Sequence, residues 1–447
     1  MKKILLVVAA FAIFSCKNEP EIDYVLLSGK IENPKGEKVS IFGNDFKKEI
    51  SINSDGTFSD TLHIETSGYY NLAHGRERTS LYTKQGDELE VTLDASKFDE
   101  TIKYSGKGSE SNNYLASKFL NNEKLNVQEI FTKEEADFLK TINEQKNKAE
   151  DALTKVEGLS DEFISLEKKN INYEYLAYLN RYPSYHPYFA KKENFKVSEG
   201  FLAPLDKVDY DNTTDFGNSE SYQQIVSNHY LEKYYTDTLK VESIKLIKGI
   251  KSQNIKNSLA SELAYDISPS NKHIETIYNL IQEIADKDEI KEKVTEKYKK
   301  VQNLVAGKNS PAFDYENHKG GTTSLADLKG KYVYIDVWAT WCGPCIGEIP
   351  SLKKVEKKYH NKNIEFVSIS IDTPKAYDTW KNMVKDKELG GIQLMADNAW
   401  KSKFVTDYAI EGIPRFILID PNGKIVNADA PRPSSPKLIE LFDELKI

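Results

Sequence analysis

The sequence predicts a multidomain chain: an antiparallel β-rich module, a helical middle region and a C-terminal α/β domain. Three observations carry this reading. Between about 24 and 105, short apolar runs of period two recur between turn signals. From about 108 to 305 the apolar spacing lengthens to that of a helix. Beyond Gly307-Lys308-Asn309-Ser310-Pro311, strand and helix patterns alternate, and all four tryptophans fall there (Trp338, Trp341, Trp380, Trp400). At 447 residues the chain exceeds what one core accommodates.

Composition narrows the function classes. Hydrophobic residues make up 39% and charged ones 29%, a globular balance. The formal net charge of −8 argues against a nucleic-acid partner, which calls for a basic patch. After the N-terminus no apolar run is long enough to span a membrane. Three cysteines, Cys16, Cys342 and Cys345, are too few for a disulfide-stapled scaffold.

Lys2 and Lys3 precede the apolar run Ile4–Phe14, the pattern of a secretory signal. It ends in Ser15-Cys16, which resembles a bacterial lipobox. That resemblance implies cleavage before Cys16 and lipidation of its thiol. Each buried methylene of such an anchor contributes about 0.8 kcal/mol. Lys17-Asn18-Glu19 opens a polar tether, residues 17–23, similar to the surface-export signals of Bacteroidetes lipoproteins. The mature protein is therefore expected in the cell envelope, lipid-anchored and facing the periplasm or the outer surface.

In the first module, strands are expected at Tyr24–Ile31, Lys38–Phe42, Glu49–Ile52, Thr57–Ile64, Tyr69–His74, Ser80–Thr83 and Glu88–Leu93. Asn33-Pro34-Lys35-Gly36, Ser54-Asp55-Gly56 and Gln85-Gly86-Asp87 punctuate them. The hairpin at Asp55–Phe58 resembles an N-terminal β-domain of unknown function that precedes thioredoxin-like domains in Bacteroidetes lipoproteins. His63 and His74 lack metal-ligand spacing, so a spacer or docking role is expected.

Helices are expected at Asn113–Leu120, Lys133–Val156, Asp161–Leu179, Ser221–Tyr235, Leu239–Lys248, Ile255–Asp266 and Asn271–Leu304. Thr132 and Ser160 stand where N-terminal caps belong. Pro183, Pro187 and Pro204 mark an expected loop. Tyr175, Tyr178 and Tyr182 share one helical face, a pattern of core packing or of a docking surface. Lys291–Lys300 reads as a solvated face before a linker.

In the last domain the order is β-α-β-α-β-α-β-β-α. Asp314–His318 opens it, and Ser324–Leu328 is a short helical turn. A strand at Lys331–Trp338 runs into a helix at Gly343–Tyr359 that contains Pro350. Then come Ile364–Ile371 (strand), Pro374–Lys387 (helix), Ile392–Met395 (strand) and Ala399–Tyr408 (helix). Arg415–Asp420 and Lys424–Val426 make a hairpin across Pro421-Asn422-Gly423. Ser435–Leu445 closes the chain as a helix.

Asp336-Val337-Trp338-Ala339-Thr340-Trp341-Cys342-Gly343-Pro344-Cys345 resembles the active site of thioredoxin. With Glu348 and Pro350 after the second cysteine and Gly412-Ile413-Pro414 downstream, the segment from Ser310 to Ile447 is similar to the TlpA-like and ResA-like thiol-disulfide oxidoreductases. The resemblance implies a thioredoxin fold and a redox-active Cys342–Cys345 disulfide, with no other cofactor and no metal. At a helix N-terminus, Cys342 is an exposed nucleophile with a lowered pKa. Cys345, more buried, resolves the mixed disulfide. The resemblance makes Asp336 the buried carboxylate that takes a proton from Cys345, and Glu348 a second group that tunes or shuttles it. Pro414 is expected in the cis form, leaving the Ile413 backbone to pair with substrate, while Trp341 shields the sulfurs and offers an apolar docking face. Gly343-Pro344 is the thioredoxin choice, so reduction of substrate disulfides is expected, with electrons from a membrane relay of the DsbD or CcdA kind. Substrates would be disulfide-containing envelope proteins, apocytochrome c among them.

Rival readings are weaker. Pro311-Ala312-Phe313 resembles the opening of peroxiredoxins, but Ala339 stands where those enzymes need Thr or Ser. His318 and His360 lack ligand spacing, and Ile346 occupies the place of the His in a haem-attachment motif. A surface binding lipoprotein with a vestigial redox domain is the alternative from another class.

Overall fold

The structure, a computed structural model, describes residues 22–447 apart from 44, 270 and 272. The expected signal segment, Cys16 and most of the tether lie outside the described residues. The chain divides into two compact units, Met1–Thr238 and Leu239–Ile447. The division falls inside the helical stretch, so the last four of its helices belong with the dithiol.

The first unit begins with β1 (Val25–Glu32), β2 (Lys38–Gly43), β3 (Phe46–Ser51), β4 (Thr57–Leu62), β5 (Gly68–His74), β6 (Glu77–Thr83) and β7 (Glu88–Asp94). A turn of helix, α1 (Phe98–Thr101), then leads to β8 (Lys103–Lys107). Two four-stranded sheets, ordered β4-β1-β7-β8 and β3-β2-β5-β6, bury their alternate side chains in one shared core. The β1–β7 pairing is parallel, a departure from the antiparallel module expected. Gly29 interrupts the inward side chains of β1 because a Cβ there would lie 2.3 Å from the Val91 carbonyl oxygen and 2.7 Å from the Phe58 ring. His74 is a core histidine. Its Nε2 accepts the Lys35 N–H at 2.8 Å, so its Nδ1 donates to the Lys38 carbonyl at 2.9 Å.

Six helices follow in this unit: α2 (Ser109–Glu123), α3 (Val127–Thr132), α4 (Glu135–Thr154), α5 (Asp161–Ala190), α6 (Thr213–Asn218) and α7 (Glu220–Thr236). Ser160 caps α5, accepting the Phe163 N–H at 3.2 Å. Thr132 does not cap α4; its hydroxyl donates backward to Glu129 O at 2.7 Å. The larger correction concerns Pro183 and Pro187, which lie inside α5 instead of in a loop. Packing overrides the lost N–H groups there. Tyr182 is fully buried and donates its hydroxyl to Lys133 O at 2.7 Å, and His186 Nδ1 lies 2.9 Å from Phe131 O. Tyr175 and Tyr178 pack beside Tyr182 on the same core, which settles that face as packing. Phe163, also fully buried, sits against the rings of Tyr82 at 4.9 Å, Tyr114 at 5.9 Å and Tyr69 at 6.2 Å.

The second unit opens with α8 (Val241–Lys248), α9 (Gln253–Leu263), α10 (Ile274–Ile284) and α11 (Asp288–Val301). The single helix expected over 271–304 is broken between α10 and α11. There Asn257 ties the turn, accepting the Asp286 N–H at 3.2 Å and donating to the Asp286 carboxylate at 2.8 Å. Lys297 is not a solvated lysine: only 13% of its side chain is exposed, and it pairs with Glu411 at 2.6 Å.

The rest of the unit is built on one sheet. Its strands are β9 (Asp314–Asn317), β10 (Thr322–Ser324), β11 (Tyr332–Trp338), β12 (Ile364–Ser370), β13 (Ile392–Met395), β14 (Arg415–Ile419) and β15 (Ile425–Asn427). They lie in the order β10-β9-β13-β12-β11-β14-β15. The β11–β12 and β12–β13 pairings are parallel, and β14 runs antiparallel to β11. The helices are α12 (Gly343–Tyr359), α13 (Tyr377–Asp386), α14 (Lys403–Asp407) and α15 (Pro436–Glu444). Val333, Ile335 and Val337 face one core, with Trp380 and Phe404. Tyr334 faces the other, with Leu352, Val355 and Phe442 from α12 and α15. The expected strand–helix order is met; the edge strand β10 went unread because only three residues form it.

Truncating Phe163 to Ala removes the ring that three tyrosines share. A loss of about 3–5 kcal/mol is expected in denaturant unfolding followed by far-UV circular dichroism.

Candidate active site

The site grows from the junction of β11 and α12. β11 is buried along almost its whole length between β12 and β14, so it delivers its C-terminal end to one fixed place. Cys342 is the N-cap of α12, and Pro344 stands in the first turn, where its missing N–H costs nothing. Cys342 and Cys345 form a disulfide with Cα atoms 5.3 Å apart. The Cys342 sulfur accepts the Cys345 backbone N–H at 3.2 Å. The sulfur thus occupies the place a serine or aspartate oxygen takes in an ordinary cap, and the helix dipole favours negative charge there. In this disulfide form the two cysteines are buried alike, at 4% and 3% exposed, not one exposed and one buried as expected. The disulfide holds Cys342 against the helix end, among the residues of the core.

Asp336 lies on β11 between Ser368 of β12 and Phe416 of β14. Alternation puts it on the Tyr334 face, toward α12. Its pKa is pushed up to about 8, first by burial and then by the carboxylates of Glu356 and Glu348. Glu356 is itself pushed up to about 7 by burial. The loop at Gly390-Gly391 closes over it: a Cβ on Gly391, whose φ is +61°, would lie 3.2 Å from a Glu356 oxygen and 2.6 Å from Phe366 O. Glu348 is half-buried, and it contributes to the raised pKa of Asp336. Both its oxygens are taken by Ser434, from the N–H at 3.0 Å and from the hydroxyl at 2.8 Å.

Trp341 projects beside the disulfide and is 59% exposed. Trp400 stands 6.4 Å from it, ring centre to ring centre. The Ile413–Pro414 peptide is cis, and Ile413 packs on the same core as the two cysteines. The sequence reading missed Trp400, Glu356 and a buried group at the end of β12. There Asp372 accepts hydrogen bonds from Thr340 and Ser370. The available signal for Asp372 was its place at the carboxyl end of a parallel strand, where α/β sites gather.

A helix-capping disulfide at the end of an interior strand of a mixed sheet, with a buried carboxyl on that same strand, defines a dithiol oxidoreductase of the thioredoxin fold. Relatives bear this out. The Redoxin family model matches residues 305–438. The thiol-disulfide oxidoreductase ResA of Bacillus cereus is 32% identical over 123 residues, 28% of this chain and 68% of that one. ResA of Bacillus subtilis is 28% identical over 125 residues, covering 28% and 67%. A solved Bacteroides vulgatus protein, assigned as a thiol-disulfide oxidoreductase, is 55% identical with a TM-score of 0.28, covering 30% of this chain and 86% of that one. The chain belongs to the ResA-like thiol-disulfide oxidoreductases.

Asp336 also makes stability depend on pH. In the fold it keeps its proton to about pH 8; unfolded, it ionises near its ordinary 3.8. Between those values only the unfolded chain gains by ionising, so the burial of Asp336 weakens the fold progressively as pH rises from 4 to 8. Below pH 4 the effect vanishes. Oxidised Asp336→Asn is therefore expected to match wild type at pH 4 and to exceed it by roughly 3–5 kcal/mol at pH 8. Denaturant unfolding read by tryptophan fluorescence measures this, because all four tryptophans lie in the second unit.

Proposed function

We propose that this oxidoreductase works outside the cytoplasm, anchored by lipid at Cys16, and reduces disulfides in envelope proteins. The observation that carries the reading is the Cys342 sulfur at the N-cap of α12, 3.2 Å from the Cys345 nitrogen. Opened by two electrons, the pair leaves a Cys342 thiolate on a helix end that favours the charge.

The cycle follows. The Cys342 thiolate attacks one sulfur of a substrate disulfide, forming a mixed disulfide and releasing the other sulfur as a thiolate. Cys345 then gives its proton to the ionised form of Asp336 and attacks Cys342. The second substrate sulfur leaves, and the Cys342–Cys345 bond closes. Substrate has gained two electrons and the enzyme has lost them. The raised pKa of Asp336 suits it to keep the proton once the disulfide has closed. A membrane relay of the DsbD or CcdA kind would then return two electrons to the pair. Ile413 and Pro414 guide an extended substrate segment, and Trp341 contacts its apolar side chains. Apocytochrome c is one substrate of suitable chemistry. The β-rich module at 24–105 and the helices up to 305 supply reach and partner choice.

Reduction of insulin by the full chain with a dithiol donor tests the reading. Wild type is expected to turn over, and Cys342→Ser to fall to the uncatalysed rate. Equal, slow rates for both would leave a binding protein with a vestigial redox domain. In cells, Cys345→Ala is expected to accumulate mixed disulfides with envelope proteins, separable on non-reducing gels.

A further inference from the structure

One buried carboxylate is left over by this chemistry. Asp372, just past β12, is fully buried. A buried charge is costly unless donors surround it, and here three do. Thr340 gives its backbone N–H to Oδ2 at 2.9 Å and its hydroxyl to Oδ1 at 2.8 Å. The Ser370 hydroxyl donates to Oδ2 at 2.8 Å, and its oxygen accepts the Asp372 N–H at 3.1 Å. Two of the three donors thus belong to one residue, and that residue stands two places before Cys342.

The surrounding backbone extends the same grip. Ile371 N–H bonds to Trp338 O at 2.9 Å, before the turn. Cys342 N–H bonds to Ala339 O at 3.1 Å, closing the turn itself. Ser370 O accepts the Ala396 N–H at 2.8 Å, joining the clamp to the end of β13. The turn that carries the nucleophile is therefore fastened through Asp372 to the end of β12, and through Ser370 onward to the end of β13.

We propose that Asp372 is a positioning residue for thiol–disulfide exchange. In the closed form the S–S bond itself holds the Cys342 sulfur to α12. On reduction that tether is lost, and the Asp372–Thr340 clamp keeps the sulfur on the N–H groups of the helix end. The thiolate then retains its stabilisation when it is needed. This rests on the dithiol chemistry alone, not on the substrate or the direction of transfer.

The acceptor chemistry separates grip from charge. Asn at this position keeps one oxygen for Thr340 N–H and Ser370. Its amide nitrogen then faces the Thr340 hydroxyl, which can rotate and accept. The contacts survive and the charge does not. Ala removes them all. Thr340→Val removes only the hydroxyl half.

The test uses the reduced full-length protein. The rate of Cys342 alkylation by iodoacetamide is followed against pH, with the modified residue located by mass spectrometry. The exchange equilibrium with glutathione is measured alongside, and circular dichroism establishes that each variant is folded. Asp372→Ala is expected to raise the apparent Cys342 pKa by about one unit, to slow alkylation at pH 7 about fivefold and to shift the equilibrium toward the disulfide. Asp372→Asn is expected to stay within about twofold of wild type. A folded Asp372→Ala with the wild-type profile would overturn the proposal, as would Asp372→Asn falling as far as Ala. Should Asp372→Ala not fold, Thr340→Val decides: a smaller shift in the same direction supports the clamp, and an unchanged profile overturns it.

Discussion

The chemistry of this protein depends on a sulfur standing where a helix cap should be. Cys342 accepts an N–H from the first turn of α12 as a capping oxygen would. The helix end is a fixed patch of positive potential that costs no reorganisation when charge develops on the sulfur. Cys345 is reached within one turn of the same helix. Spacing and dipole are therefore set by one element, and the sheet has only to aim it.

Aiming is shared by both faces and by the ends of the strands. β11 lies inside the second unit's sheet, paired in parallel with β12 and antiparallel with β14. Its side chains enter two cores, and Asp336 faces α12 with the carboxylates of Glu356 and Glu348 near enough to raise its pKa. Burying an acid this way destabilises the fold, a cost that falls where proteins keep functional groups. At the carboxyl ends of the strands, Asp372 and Ser370 fasten the turn before the dithiol. α8 to α11 belong to the same unit, and Lys297 of α11 pairs with Glu411, three residues before the cis proline.

Much of this was legible in the residues. The bounds Gly343–Tyr359 and Ile392–Met395 are met to the residue, because a capping motif and an isolated apolar run mark them. The strands of the first module were legible from alternation, but the parallel β1–β7 pairing was not, since pairing partners are set by tertiary packing. Pro183 and Pro187 misled because helix propensity is local, whereas Tyr182 and His186 hold α5 together through buried contacts with α3 and its following turn. At the site, Cys342, Cys345, Asp336 and Pro414 stood in a recognisable pattern. Asp372, Thr340 and Trp400 did not: their roles come from neighbours 32 or more positions away in sequence or from a loop contact that leaves no periodic trace.

The central claim is that this helix-capped pair serves as a reductant. Equilibrating the full-length protein with glutathione buffers, and quantifying the Cys342–Cys345 disulfide at each ratio, measures its potential directly. The account predicts a value near that of thioredoxin, about −270 mV. A value near −120 mV, that of a dedicated oxidant, would contradict it.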